Sequence, residues 1–292
     1  MSPDDRSAGR SEQFTLTAAD GYDLAAVRFS PSGTPSGRIV VGGATGVPQG
    51  FYRRFAEHAA TRGYEVTTVD YRGIGQSAPS TLKGFAMDYR DWARLDLAAA
   101  VDSAGDGGKE PVHLVGHSYG GQALGLLPHP ERVDAMYTFG TGSGWTGWMP
   151  RSEQVRVRIM WNVVGPLLTR ATGYLAWSRL GFGEDLPLGA YLQWKRWCQY
   201  PEYFFEDPDF PEAQALYDRV TAPIVAVSST DDRWIPPAAR DAFMPHYRNS
   251  VRTLVDIDPR SSGLPPLGHM GFFRTSAMPL WTDALDWLSA QS

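Results

Sequence analysis

From about residue 14 to 139, short β-branched or apolar runs alternate with runs of helical period. FTLT (14–17), LAAVRF (24–29), RIVVGG (38–43), YEVTTVD (64–70), VHLVGH (112–117) and VDAMYTFG (133–140) read as strands. Between them, 51–63 places Phe51, Phe55 and Ala59 on one helical face, and 88–105 does the same with Tyr89, Trp92 and Ala99; both segments end at glycine, where helices often stop. This alternation predicts an α/β fold: a mostly parallel central sheet flanked by helices. The pattern breaks between about 141 and 216, where periodicity is muddled and six of the ten tryptophans gather (Trp145, Trp148, Trp161, Trp177, Trp194, Trp197). Alternation then resumes with APIVAVSS (222–229) as a strand, PPAARDAFM (236–244) as a helix start, VRTLVDID (251–258) as a strand and 275–290 as a closing helix. The expected organisation is a loose polar tail over 1–12, a core built from 13–140 and 217–292, and a mainly helical cap inserted over 141–216.

Composition narrows the classes. A chain of 292 residues with 42% hydrophobic content can bury a large core, and its formal charge of −5 supplies no electrostatic reason to bind nucleic acid or an anionic membrane. The lone cysteine, Cys198, excludes an intramolecular disulfide and reads as a packed residue among Trp194, Trp197 and Tyr200. The first dozen residues lack the apolar centre of a signal peptide, so a cytoplasmic location is expected. The most apolar run, 159–168, falls short of the ~20 residues needed to cross a bilayer, and no membrane span is expected.

The chemistry concentrates in VGHSYGG (115–121). The apolar strand VHLVGH ends directly at Ser118, and GGQALGLL can start a helix directly after it. A turn this abrupt forces its central residue into a strained conformation and needs glycine at 116 and 120, where side chains would collide with neighbouring backbone. Ser118 is thereby presented at the C-terminal edge of the sheet as a candidate nucleophile, with the Tyr119 amide beside it as a candidate oxyanion donor.

With strand, elbow and helix in place, the chain resembles the α/β-hydrolase family, in which such a nucleophile is followed along the chain by an acid and then a histidine. The resemblance implies an acid after the strand APIVAVSS, where Asp232, with Asp231 as rival, stands before the prolines at 236 and 237. It implies His269, in GHMGFF after the last strand, as the base; His58, His113, His117, His129 and His246 fit that order less well. A serine hydroxyl needs an imidazole to accept its proton, and the carboxylate fixes the imidazole tautomer. The second oxyanion donor of such enzymes comes from the loop after an early strand, here GGATG in place of the usual His-Gly pair, which points to Thr45 with Ala44 close behind. Asp70 and Arg72, in the turn DYRGIGQS, read as a structural ion pair. The segments GGATGVPQGFYRRFA, QWKRWCQYPEYF and GHMGFFR jointly resemble a subgroup of bacterial α/β-hydrolases with no established substrate.

The aromatics of 141–216 suggest an apolar acyl or aromatic pocket above Ser118, for which Ala44, His117, Trp145, Trp148, Trp234 and Met270 are the candidates. Arg151, Arg156, Arg158, Arg170, Arg179 and Arg196 lie among them as possible carboxylate partners. No cofactor or metal is expected, since there is no HExxH, no paired cysteine and no acidic cluster. The expected partner is a small-molecule substrate; the oligomeric state stays open. The leading reading is a serine hydrolase acting on a carboxylic ester, thioester or lactone. Acyl transfer, cyclisation or lyase chemistry at the same site is the alternative, and the presence of Ser118, Asp232 and His269 together argues against an inactive binding protein.

Overall fold

The β-branched runs pair into one eight-stranded sheet in a computed structural model that describes residues 10–181 and 183–291. The strands are β1 (Arg10–Thr17), β2 (Asp23–Ser30), β3 (Gly37–Gly42), β4 (Tyr64–Val69), β5 (Val112–His117), β6 (Ala135–Phe139), β7 (Ile224–Ser229) and β8 (Arg252–Ile257), and they lie in the order β1-β2-β4-β3-β5-β6-β7-β8. β1 and β2 form an antiparallel hairpin, β2 meets β4 antiparallel, and every other pairing is parallel. β1 starts at Arg10, opposite Ser30, so residues 10–12 belong to the sheet rather than to the expected tail; residues 1–9 of that tail lie outside the described residues.

β3, β5, β6 and β7 are buried at every position. Two-sided burial is what parallel strands require, because crossover helices cover both faces. On one face Ile39, Val41 and Val115 pack with Phe55 and Ala59 of α1 (Arg53–Thr61) and with Trp281 and Leu285 of the closing helix (Met278–Ser289). On the other, Val40, Leu114 and Met136 pack with Trp92, Leu97 and Val101, and this core continues without a break into Trp161, Tyr191 and Trp197. The helix expected over 88–105 is a π-helical stretch, Trp92–Leu97, leading into α2 (Ala98–Gly105). Strand order reverses at β3, whose neighbours are β4 and β5, and the loops after β3 and β5 therefore open a crevice at the C-terminal edge.

Between β6 and β7 no strand joins the sheet among the described residues. This stretch holds α4 (Arg151–Ile159), a π-helical turn (Met160–Val164), α5 (Gly165–Thr172), α6 (Leu188–Trp197) and α7 (Ala213–Tyr217), plus an isolated bridge between Leu175 and Leu186. α4, the π turn and α5 run on as one helix, since the residues joining them are right-handed helical. α7 crosses the boundary expected at 216: the Tyr217 hydroxyl donates to the Gln122 carbonyl, and its ring packs on Tyr247.

Candidate active site

β5 delivers Ser118 at φ 52°, ψ −111°, one of two non-glycine residues with positive φ among the described residues. An L-residue there costs of order 1–3 kcal/mol, so surrounding contacts must hold it. They do: the Ser118 amide donates to the Phe139 carbonyl at 2.9 Å, and the Ser118 carbonyl accepts from Thr141 Oγ1 at 2.8 Å and from the Gly121 amide at 3.1 Å. Closeness explains the flanking glycines. A Cβ at 116 would lie 2.5 Å from the Gly121 nitrogen, and one at 120 would lie 1.9 Å from the Gly42 carbonyl oxygen. After the elbow the expected helix is a single α turn, α3 (Tyr119–Gln122), followed by a 3-10 turn, Ala123–Leu126.

The loop after β7 and the loop after β8 meet here. Asp232, buried, accepts from His269 Nδ1 through Oδ2 at 2.8 Å, while its Oδ1 accepts the amides of Trp234 at 2.8 Å and Ile235 at 2.9 Å. With Oδ1 occupied by backbone donors, Oδ2 is aimed at the imidazole. Asp231 makes a different set of bonds: it accepts the Leu267 amide at 2.9 Å, the Gly268 amide at 2.8 Å and the Ser229 hydroxyl at 2.6 Å. Asp232 therefore meets the histidine itself, and Asp231 grips the backbone that carries it. Gly268, at φ 51°, lets that backbone turn. No hydrogen bond joins Ser118 to His269 among the described residues, yet both line one cavity. Such contacts commonly tighten only when substrate is bound.

At the end of β3 the Ala44 amide donates to the Tyr52 hydroxyl at 2.7 Å, and the Thr45 amide has no acceptor among the described residues. The Tyr119 amide stands at the first position of its helix, where no intrahelical acceptor exists. Thr45 and Tyr119 both line the cavity. The Thr45 hydroxyl is hydrogen-bonded to the Tyr89 hydroxyl, and the Tyr89 amide donates to Gln193 of α6 at 2.7 Å.

His117 corrects an expectation. Offered as a pocket residue, it is fully buried and does not line the cavity, because the strand points it to the opposite face from its neighbour. Its Nε2 lies 2.9 Å from the His269 carbonyl, which can only accept, so Nε2 carries the proton and Nδ1 accepts from the Tyr52 hydroxyl at 3.0 Å. Burial pushes its pKa down to about 3 and keeps the ring neutral. A single file of hydrogen bonds thus runs from the Ala44 amide through Tyr52 and His117 to the backbone of His269.

The cavity holds about 400 Å³. Of the expected pocket residues, Ala44, Trp234 and Met270 line it. Trp145 and Trp148 do not: they pack edge to face on each other at 5.3 Å, and Trp148 donates to the Pro201 carbonyl at 3.4 Å. The wall is made instead by Met149, Val157, Met160 and the mutually packed Trp161, Trp177 and Trp194. These three tryptophans were visible as part of the aromatic crowding, but no periodic pattern distinguished them from Trp145 and Trp148. Of the arginines noted in this region, Arg156 alone reaches the lining. Cys198 also borders the cavity, but burial pushes its thiol pKa far up and leaves it a poor nucleophile.

Asp70 and Arg72 do not pair with each other as expected. Asp70 accepts from the amides of Gln49 at 2.6 Å and Gln76 at 2.9 Å and from Gln49 Nε2 at 3.2 Å, pinning the end of the loop after β3. Arg72 forks between Asp96 at 2.7 Å and Asp20 at 2.6 Å. No cluster of three or more potential metal ligands occurs among the described residues, and no helix there is long and apolar enough to cross a membrane.

No curated protein matches the chain by sequence. Among solved structures, it is similar to a soluble variant of monoglyceride lipase from Saccharomyces cerevisiae in complex with a substrate analogue (TM-score 0.66, 17% identity, 98% of this chain and 96% of that one). It is also similar to an esterase of Pyrococcus furiosus (TM-score 0.64, 13% identity, 100% and 94%) and to a thermophilic esterase of Thermogutta terrifontis (TM-score 0.58, 16% identity, 96% and 99%). At these identities the likeness speaks to the fold. The alpha/beta hydrolase family itself matches residues 39–278, a span that runs from β3 through the elbow and the helices between β6 and β7 to the start of the closing helix, and the chain belongs to that family as a hydrolase of its type.

Proposed function

We propose that this protein is a serine hydrolase that cleaves a carboxylic ester, thioester or lactone with an apolar acyl or aromatic part, through Ser118, His269 and Asp232. One observation carries the reading: a serine held at positive φ and a histidine bonded at 2.8 Å to a buried aspartate line the same cavity. In this reading Ser118 Oγ attacks the acyl carbon as its proton passes to His269 Nε2. Asp232, bonded at Nδ1, fixes the tautomer and stabilises the imidazolium. The Thr45 and Tyr119 amides receive the developing oxyanion, and the spent Ala44 amide favours Thr45 as the second donor. Such a donor is worth ~3–4 kcal/mol in the transition state. Collapse expels the alcohol or thiol with the proton from His269, and a water activated by the same imidazole releases the acid from the acyl-enzyme.

The stretch 141–216 acts in this reading as a cap. Its Met160, Trp161 and Trp194 form an apolar roof that excludes water and so strengthens the polar interactions below. A fluorophosphonate probe with a panel of p-nitrophenyl esters tests the proposal. Labelling of the wild type but not of S118A, with turnover lost in the variant, is the expected result; a folded wild-type protein that resists labelling at Ser118 sinks it.

A further inference from the structure

We infer that the outer face of the helix running from α4 through the π turn to α5 docks on an anionic lipid–water surface. Val155, Ile159, Val163 and Leu167 follow at four-residue spacing and are 57%, 50%, 51% and 61% exposed. At a rise of 1.5 Å per residue they form a stripe ~18 Å long. A spacing of four drifts around a helix of 3.6 residues per turn, and the wider π turn, Met160–Val164, offsets part of that drift midway. The inner side of the same helix supplies Val157, Met160 and Trp161 to the cavity. Packing on the protein thus accounts for one side and leaves the apolar outer side uncovered, which is unusual for a surface helix.

Charge identifies the occupant. This helix carries four arginines and one acid, Glu153, in a chain whose net charge is −5. Arg156 stands near Glu153, whereas the exposed Arg151, Arg158 and Arg170 have no acidic partner among the described residues. Exposed arginines elsewhere are mixed: Arg53 meets Glu57, Arg62 meets Asp286 and Arg132 meets Asp102, whereas Arg54, Arg260 and Arg274 have no acidic partner among the described residues; what marks this helix is that three such arginines gather on one element with a single acid. An apolar stripe flanked by uncompensated cations is the pattern of a helix lying in the plane of an anionic interface. A second copy is a poor fit, because two-fold pairing sets the same three arginines of each chain against one another. The inference goes beyond the proposed hydrolysis, and binding does not need it.

The test is sedimentation of the full-length S118A protein with vesicles of phosphatidylcholine containing phosphatidylglycerol, against vesicles of phosphatidylcholine alone. Binding to the anionic vesicles that weakens with added salt is expected. Replacing arginines in R151Q/R158Q/R170Q costs about fivefold in partitioning per residue removed, and I159S/V163S/L167S abolishes partitioning. Made in the wild-type background, both sets keep the wild-type melting profile and turnover of a soluble short-chain ester. Equal or absent binding on the two vesicle types overturns the inference, as does a dimer in ultracentrifugation that I159S/V163S/L167S dissociates. Either result leaves labelling of Ser118 untouched, so failure here is distinct from failure of the hydrolase reading.

Discussion

The C-terminal edge of the sheet and the helical stretch between β6 and β7 are built on opposite plans. At the edge almost every polar group is spoken for: Asp232 bonds His269, Asp231 grips the loop behind it, and His117 and Tyr52 tie that loop to the one after β3. The helical stretch lines the same cavity chiefly with thioethers and indoles, and on its outer side leaves apolar groups uncovered. Hydrogen bonds fix directions to a few tenths of an ångström, whereas apolar packing fixes volume and tolerates exchange. The difference teaches where rate and selectivity should reside: turnover should depend on the edge, and choice of substrate on the helices between β6 and β7.

The largest expected effect is at the edge. S118A and H269A should each lower kcat by on the order of 10⁴–10⁶, measured on the best ester found. Next, D232N should cost about 10⁴ through loss of the correct tautomer, while D231N should cost about tenfold, since it loosens backbone rather than the imidazole. Comparable losses in the two would break the division between the two acids. A smaller effect separates the two ends of the buried hydrogen-bond file. H117Q retains a donor for the His269 carbonyl, and H117N retains an acceptor for Tyr52. Each should lower kcat about tenfold with KM within twofold, as one buried partner left unpaired costs ~1–3 kcal/mol. A rise in KM with kcat unchanged in these variants would make His117 a matter of binding instead.

Between β6 and β7, M160A and W194A should shift the chain-length preference of kcat/KM by roughly five- to tenfold and leave kcat on an acetyl ester near wild type. The smallest effect concerns acid stability. Burial lowers the pKa of His113 to about 4 and of His117 to about 3, from an ordinary 6.5. Between those values the unfolded chain binds protons that the native state refuses, so stability falls as pH drops below about 6.5 and continues to fall toward 3. Melting temperatures from pH 7 to 4 should decline, and H117Q should flatten part of that decline.

The elbow was legible because its requirement is steric and local: glycine at 116 and 120 is demanded by backbone within van der Waals reach. The four central strands, β3, β5, β6 and β7, were legible because burial on two faces selects apolar and β-branched runs. The order of acid and histidine came with the family resemblance, but the choice between Asp231 and Asp232 needed the geometry of two loops far apart in the chain. Asp70 and Arg72 stand two apart and invite pairing, yet each is taken by partners brought in by the fold, Gln49 and Gln76 for one and Asp20 and Asp96 for the other. Trp145 and Trp148 were no worse candidates by sequence than Trp161 and Trp194. In a stretch without period, nothing local says which indole turns inward.

The contact between Gly42 and Gly120, where a single added carbon would sit 1.9 Å from a carbonyl oxygen, has a bearing on how this protein can vary. It welds the turn holding Ser118 to the strand end that precedes Thr45, so neither can drift without carrying the other. Substitutions can then accumulate in the roof while the spacing between these two backbones stays constant. Diversification of such a scaffold, natural or by design, has a protected seam two glycines wide and an open field above it.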